Sequence, residues 1–132
     1  DDTGLEVDAL DGRPGVYAAR YAGPNATYED NWRKLLRELD GVPWERRCAR
    51  FVTVAAIASP LAKVEVVDGV LEGMIAEKPA GTWGFGYDPV FWVPEAGKTL
   101  AQLTPDQKNR ISHRARALAK VRGMLRRLDE EQ

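Results

Sequence analysis

The chain has 132 residues, of which 44% are apolar, and this length and composition predict one domain with a modest hydrophobic core. Nineteen Lys and Arg residues against twenty Asp and Glu residues give a formal net charge of -1, which excludes a global basic field for nucleic-acid binding. A single cysteine, Cys48, and the lack of a signal-like start or a long apolar run predict a soluble cytoplasmic protein without a disulfide framework.

The first half of the sequence predicts two strands and one helix. Apolar residues alternate with acidic ones in LEVDAL, residues 5–10, which predicts a short half-buried strand. Glycine and proline punctuate the next stretch, so residues 16–21 are predicted to form at most a short extended piece between turns. Thr27 is a suitable N-cap for an amphipathic helix predicted over residues 28–39. The nearly continuous apolar run Cys48–Ala58 predicts a strand buried on both faces.

The next part of the sequence predicts a hairpin and a shaped loop. β-branched residues between positions 63 and 76 surround Asp68 and Gly69, a turn dipeptide that predicts a hairpin of two strands. Residues 79–94 are rich in glycine, proline and aromatic side chains, which predicts a shaped loop that ends in a short strand.

The C-terminal part of the sequence predicts helix. Thr104 followed by Pro105 predicts a helix start, and the segment is expected to bend near Ile111. Apolar residues at helical spacing, with basic residues on the other faces, predict a long C-terminal helix over residues 112–128. Together these elements predict an α+β fold, with an elongated mixed or antiparallel sheet flanked by helices.

Two carboxylates open the sequence and form the first candidate site. Asp1 and Asp2 precede Thr3 and Gly4. Hard oxygen ligands of this type suit Mg²⁺, which is usually held by one or two carboxylates together with substrate phosphates. A frayed acidic terminus is the alternative interpretation, and for the Asp pair alone it is the favoured one.

An aromatic ring flanked by glycines, in the run GFGYDP, forms the second candidate. Phe85 lies between Gly84 and Gly86, and a ring presented in this way can stack on a nucleobase. Asp88, which precedes a proline, can hydrogen-bond polar groups at the edge of that base. A glycine-rich turn with a packing aromatic residue explains the same residues equally well.

A basic cluster near the C terminus forms the third candidate. Lys108 is followed by Ser112, His113 and Arg114, and donors at a helix start suit an anion or the acceptor groups of a base. A solvated basic helix face is the alternative, and these residues alone favour it. The sequence has no G-x-S-x-G nucleophile loop, and one Cys with one His cannot build a common zinc site, so a serine hydrolase or a zinc enzyme is not expected.

Three segments taken together resemble the inosine triphosphate pyrophosphatase family. They are DDTGLEVDALDGRPGVYAARYAG, EGMIAEKPAGTWGFGYDPVFWVP and KNRISHRARAL, and their order and spacing match that family along essentially the whole chain. The resemblance implies a Mg²⁺-dependent enzyme that hydrolyses the non-standard purine triphosphates ITP, dITP and XTP to the monophosphate and pyrophosphate. It also implies a homodimer, while the balanced charge and the lack of a long apolar run predict that the chain binds neither nucleic acid nor membrane.

The resemblance implies roles for individual residues. Asp2 matches the general base, which also helps to hold the metal, and Thr3 matches a substrate-contacting position. The residues that match the base-contacting loop are Phe85, Gly86, Tyr87 and Asp88. The residues that match base-recognising donors are Lys108, His113 and Arg114.

Members of that family begin with a further N-terminal region, which contains a first strand, a Ser/Thr-x-Asn-x-x-Lys phosphate-binding loop and an acidic metal ligand. None of these is in this sequence. Residues 1–132 are therefore expected to be a single domain, the C-terminal part of a pyrophosphatase domain. The alternatives are a non-catalytic fragment that binds purine nucleotides and a dimerising structural remnant.

Overall fold

The computed structural model describes the backbone of residues 2–58 and 64–111, and the side chains of residues 4–53 and 69–111. Its strands are β1 (Asp2–Val7), β2 (Pro14–Gly15), β3 (Cys48–Ala58), β4 (Val64–Ile75), β5 (Phe91–Val93) and β6 (Lys98–Thr99). Its α-helices are α1 (Tyr28–Glu38) and α2 (Pro105–Ile111). Single turns of 3-10 helix occur at Asp8–Leu10, Ala18–Arg20, Trp44–Arg46 and Leu100–Gln102.

The six described strands form one sheet in the order β2-β1-β3-β4-β5-β6, and every described pair is antiparallel. The long β3–β4 pair is the middle of the sheet, and β1 extends it on one side. Glu6 of β1, Arg50 of β3 and Glu72 of β4 lie side by side, and Arg50 forms ion pairs with both carboxylates. The sheet with two helices confirms the predicted α+β fold.

The hydrophobic core covers one face of this sheet, because side chains alternate between faces along a strand. The inward apolar residues of the strands and the buried apolar residues of α1 belong to one cluster. Its members on the strands and in or just after α1 include Leu5, Val7, Trp32, Leu35, Leu39, Phe51, Leu71, Ile75, Phe91 and Val93. The predicted helix over residues 28–39 is confirmed, and Thr27 caps it by accepting a hydrogen bond from the backbone N–H of Asp30.

The predicted hairpin turn at Asp68 and Gly69 is wrong. Both residues lie inside the continuous strand β4, where they pair with Val54 and Thr53 of β3. A turn there would leave two short strands, whereas β3 offers a partner for the full length of β4. Long-range pairing therefore overrides a weak local turn signal.

Two further predictions need correction. The strand predicted over residues 5–10 starts earlier and ends earlier, at Asp2–Val7, and Asp8–Leu10 forms a 3-10 turn. Within residues 16–21, Ala18–Arg20 is also a 3-10 turn rather than an extended piece.

The strand Cys48–Ala58 has the predicted bounds, but its described part is not buried on both faces. Ala49, Phe51 and Thr53 point into the core, whereas Arg50 and Val52 on the opposite face are partly exposed. Arg50 keeps its charge near solvent because burying an ion is costly.

The predicted start of the C-terminal helical region is confirmed at Pro105. Thr104 accepts a hydrogen bond from the N–H of Gln107, whose side chain accepts one from the N–H of Thr104, so the first turn is capped reciprocally. The long helix predicted over residues 112–128 lies outside the described residues.

A buried arginine joins the end of α1 to the end of β4. Arg47, which is only 3% exposed, donates hydrogen bonds to the carbonyl oxygens of Leu39 (2.9 Å) and Val42 (3.0 Å), just after α1. It also donates to the carbonyls of Ile75 (2.8 Å) and Ala76 (3.1 Å), where β4 ends. Burial lowers the pKa of this guanidinium, although an arginine stays charged at any physiological pH.

We expect Arg47→Met to lower the free energy of unfolding by about 3 kcal/mol, because it leaves four carbonyl groups without their donor in a buried place. Arg47→Lys should recover part of this loss, since an ammonium donates from one point and cannot reach both groups of carbonyls. The exposed neighbour Arg46 provides the control, and Arg46→Met should change the value by less than about 0.5 kcal/mol. Urea unfolding measures all three. Equal effects at the two positions would contradict this role for Arg47.

Candidate functional site

The glycine- and aromatic-rich segment forms a closed loop at the end of β4, over residues 76–90, which we call the site loop. Its two ends are joined by backbone hydrogen bonds from the N–H of Ala76 to the carbonyl of Val90 (2.8 Å) and from Ala80 to Pro89 (2.9 Å). The N–H of Trp83 donates to the carbonyl of Ala101 at 2.9 Å, which fixes the middle of the loop to the segment after β6. The loop is therefore held by the main chain, independently of its exposed side chains.

A buried carboxylate organises the tip of the site loop. Asp88 is 4% exposed, and its Oδ2 accepts hydrogen bonds from the N–H of Phe85 (3.0 Å) and from Nζ of Lys108 (2.5 Å). The same ammonium lies 4.1 Å from the centre of the Phe85 ring. A cation held over an aromatic face gains electrostatic attraction from the ring. The second and third candidate groups of the sequence thus meet at one place, through Asp88, Lys108 and Phe85.

Tyr87 connects the site loop to another part of the protein. Its side chain is buried, and its hydroxyl donates to the carbonyl of Ala18 at 2.7 Å. Burial raises the pKa of the Tyr87 hydroxyl above its ordinary value, so the group stays protonated and remains a donor. Tyr87 therefore ties the site loop to the turn Ala18–Arg20.

That turn is held in its place by α1, through residues that the sequence analysis did not single out. The buried Asn31 donates to the carbonyl of Ala19 (3.0 Å) and accepts from the N–H of Ala22 (2.8 Å). Lys34 donates to the carbonyl of Tyr21 at 2.9 Å. An asparagine beside Trp32 within an apolar helix stripe was the signal available, because a buried amide needs partners.

Asp2 and Thr3 lie at the start of β1, and only their backbone is described. Asp2 is level with Val54 of β3, which is level with Asp68 of β4. From Asp68 to the end of β4 at Ile75 the strand runs about 23 Å, at about 3.3 Å per residue. Asp2 is therefore level with the middle of the central strands, well away from Ala76, where the site loop begins.

The remaining predicted residues add little to this geometry. His113 and Arg114 lie outside the described residues. Within residues 4–53 and 69–111, no group of three or more His, Cys, Asp or Glu side chains could hold a metal ion. Gly86 has a positive φ of 61° and lies between Phe85 and Tyr87, where it turns the loop.

Comparison with known proteins gives a consistent answer. Residues 1–124 match the model of the Ham1 family. The dITP/XTP pyrophosphatase of Geobacillus kaustophilus (strain HTA426) is 59% identical over 121 residues, which cover 92% of this chain and 59% of that protein. The dITP/XTP pyrophosphatase of Thermoanaerobacter sp. (strain X514) is 56% identical over 132 residues, covering 99% of this chain and 66% of the relative.

The fold is also similar to a solved structure. The Ham1 protein of Staphylococcus aureus superposes with a TM-score of 0.90 and 44% sequence identity, over 99% of this chain and 66% of that one. The chain thus spans between 59% and 66% of the length of these similar proteins.

The two glycines beside Phe85 allow a matched test of the site-loop geometry, because both have positive φ values, 86° at Gly84 and 61° at Gly86. A side chain at Gly84 would overlap Oδ2 of Asp88 and approach Nζ of Lys108 to 3.2 Å, whereas one at Gly86 meets no atom within 4 Å. We expect Gly86→Ala to lower the free energy of unfolding by about 1 kcal/mol through backbone strain alone. Gly84→Ala should lose at least about 1 kcal/mol more. Urea unfolding compares them, and equal losses would contradict the described packing of Asp88.

Proposed function

We propose, from the premise that this chain belongs to the Ham1 family, that it takes part in hydrolysing non-standard purine nucleoside triphosphates. The substrates would be ITP, dITP and XTP, and the products the nucleoside monophosphate and pyrophosphate. Two similar proteins carry the name dITP/XTP pyrophosphatase, but the chain spans less than two thirds of their length. The observation that carries the proposal is the cluster in which Asp88 holds Lys108 against the exposed ring of Phe85.

The cluster has the chemistry needed to recognise a 6-oxo purine. Stacking on Phe85 would hold any base, while the ammonium of Lys108 can donate to the O6 and N7 acceptors of hypoxanthine or xanthine. Adenine places an amino donor at that edge, so a cationic donor would lose its partner. Such a loss costs about 1–3 kcal/mol, or about one to two decades of discrimination. Within this proposal, His113 and Arg114 add further donors, and Gly86, Tyr87 and Asp88 shape the pocket.

Asp2 is proposed as the general base, with Thr3 contacting the substrate. In the reaction, a water oxygen bonds to the α-phosphorus, the bond from that phosphorus to the bridging oxygen breaks, and pyrophosphate leaves. Asp2 accepts the proton that the water loses, because a carboxylate can orient and deprotonate a nearby water.

The proposed cofactor is Mg²⁺. A carboxylate such as that of Asp2 is a hard oxygen ligand, and Mg²⁺ binds through one or two carboxylates together with substrate phosphates, so the residues present fit this cation. When bound, it would offset the charge that develops on the phosphate oxygens. Asp2 is level with Asp68 of β4, whereas the site loop begins at Ala76, after the end of that strand. This separation suits an elongated ligand whose base and phosphates contact different parts of the protein.

The cellular setting follows from the same proposal. We propose a cytoplasmic homodimer in which residues 1–132 form one domain, corresponding to the C-terminal part of a pyrophosphatase domain. Nucleic acid and membranes are not proposed as partners. Among the helices in the described part of the chain, none is long and apolar enough to cross a membrane.

We expect the chain to release pyrophosphate from ITP faster than from ATP in the presence of Mg²⁺, and Asp2→Asn to reduce this rate at least about 100-fold, since it removes the general base. Asp11→Asn is the matched control, because Asp11 lies in an exposed turn with a φ of 55°, which asparagine also adopts. A coupled pyrophosphate assay gives both rates. Binding of ITP without any release would favour the non-catalytic alternative, and an unchanged Asp2→Asn rate would exclude Asp2 as the base.

The preference for 6-oxo purines should depend on Lys108. We expect Lys108→Met to reduce the ratio of ATP Kd to ITP Kd about tenfold, because a thioether cannot donate to the base. Lys108→Met alone leaves the buried carboxylate of Asp88 without its partner, and the double variant Asp88→Asn with Lys108→Met removes that charge. The double variant should show the same reduced ratio of ATP Kd to ITP Kd and should be more stable than Lys108→Met alone. Lys78→Met, at an exposed lysine, should leave the ratio unchanged. Calorimetric titration with EDTA present measures it, and a ratio unaffected by Lys108→Met would rule out this mode of recognition.

A further inference from the structure

Tyr28, the first residue of α1, packs against Phe85 of the site loop. Its ring centre lies 6.3 Å from that of Phe85, with an angle of 47° between the ring planes. Despite this contact, Tyr28 is 60% exposed and Phe85 is 51% exposed. The two rings are therefore adjacent, inclined to each other and partly exposed to solvent.

The position of Tyr28 is fixed by its surroundings rather than by its own side chain. Thr27 and Asp30 cap the helix reciprocally, with hydrogen bonds of 3.1 Å and 3.0 Å. One turn further, Asn31 is buried and bonded to Ala19 and Ala22. The backbone that carries the ring is thus ordered before any ligand binds, which reduces the entropy cost of using the ring for binding.

Core packing does not account for this tyrosine. The buried residues of α1 that belong to the hydrophobic cluster are Trp32 and Leu35, and Tyr28 is not among the cluster or the residues packed against it. An exposed tyrosine on a helix is ordinary, but this one contacts the ring over which Lys108, the partner of Asp88, is held.

We infer that Tyr28 is a specificity-determining residue, whose ring, inclined at 47° to that of Phe85, contacts the part of a purine that extends beyond Phe85. This inference rests on the proposed function. A single phenyl ring covers about half of a fused two-ring base, and a neighbouring aromatic ring supplies the remaining contact. The surface then favours purines over single-ring pyrimidines, while Lys108 selects among the purines.

The test is the binding of ITP to the 132-residue chain, measured by calorimetric titration with EDTA present to prevent hydrolysis. Tyr28→Ala should raise the Kd about tenfold, and Tyr28→Phe should stay within about twofold of the unsubstituted chain, because stacking needs the ring and not the hydroxyl. Tyr28→Leu keeps the apolar bulk but removes the π-face, so it should resemble Tyr28→Ala in binding. Tyr17→Ala is the matched control, since Tyr17 is also 60% exposed, and it should leave the Kd unchanged.

The outcomes separate this inference from the proposed function. If the unsubstituted chain binds ITP and Tyr28→Ala binds it equally well, Tyr28 has no part in recognition and the proposed function still stands. If Tyr28→Leu binds like the unsubstituted chain, the residue acts through bulk and the stacking role is wrong. If the unsubstituted chain binds no ITP, both the proposed function and this inference are overturned.

Discussion

The guanidinium of Arg47 is the interaction on which the functional end of the molecule depends. Four main-chain carbonyls converge on it, two from the end of α1 and two from the junction of β4 with the site loop. The main-chain carbonyl of Arg47 in turn accepts a hydrogen bond from the N–H of Ile75 at 2.9 Å, so Arg47 and Ile75 bond in both directions. A planar group with five fixed donors can join elements in this way, and no other side chain has that geometry. The helix, the sheet and the loop therefore keep one mutual arrangement.

The cluster of Asp88, Lys108 and Phe85, which is proposed to recognise the base, belongs to that end of the molecule, and its parts differ in burial. Asp88 is buried and directs Lys108, while Phe85 and Tyr28 remain exposed. The supporting groups use their hydrogen bonds on one another and on the main chain, so the exposed groups can meet a ligand without first being ordered. Because the supports are buried, altering them is expected to change stability together with the proposed binding, whereas altering the exposed Tyr28 is expected to change stability little.

Local signals in the sequence were sufficient for part of this structure. The amphipathic stripe and cap of α1 and the start of α2 were predictable, because they depend on neighbouring residues. The continuity of β4 was not, since pairing with β3 outweighs the turn tendency of Asp68 and Gly69. For the site, the run GFGYDP and Lys108 were recognisable as separate groups, but their contact through Asp88 is a long-range event. Arg47 and Asn31 bind main-chain groups, which every residue has. The sequence therefore does not indicate which residues are their partners.

The lengths of the connections between the strands also affect the order in which the sheet can assemble. β3 and β4 are joined by the five residues 59–63, whereas the chain between β1 and β3 includes α1 and several turns. Closing a longer loop costs more conformational entropy before its contacts form, so the β3–β4 pair is expected to nucleate and β1 to be added afterwards. Asp2 is the first residue of β1 and is therefore added with that strand. The part of the molecule that is proposed to recognise the base is therefore expected to be built on strands that pair before the strand with the proposed catalytic group is added.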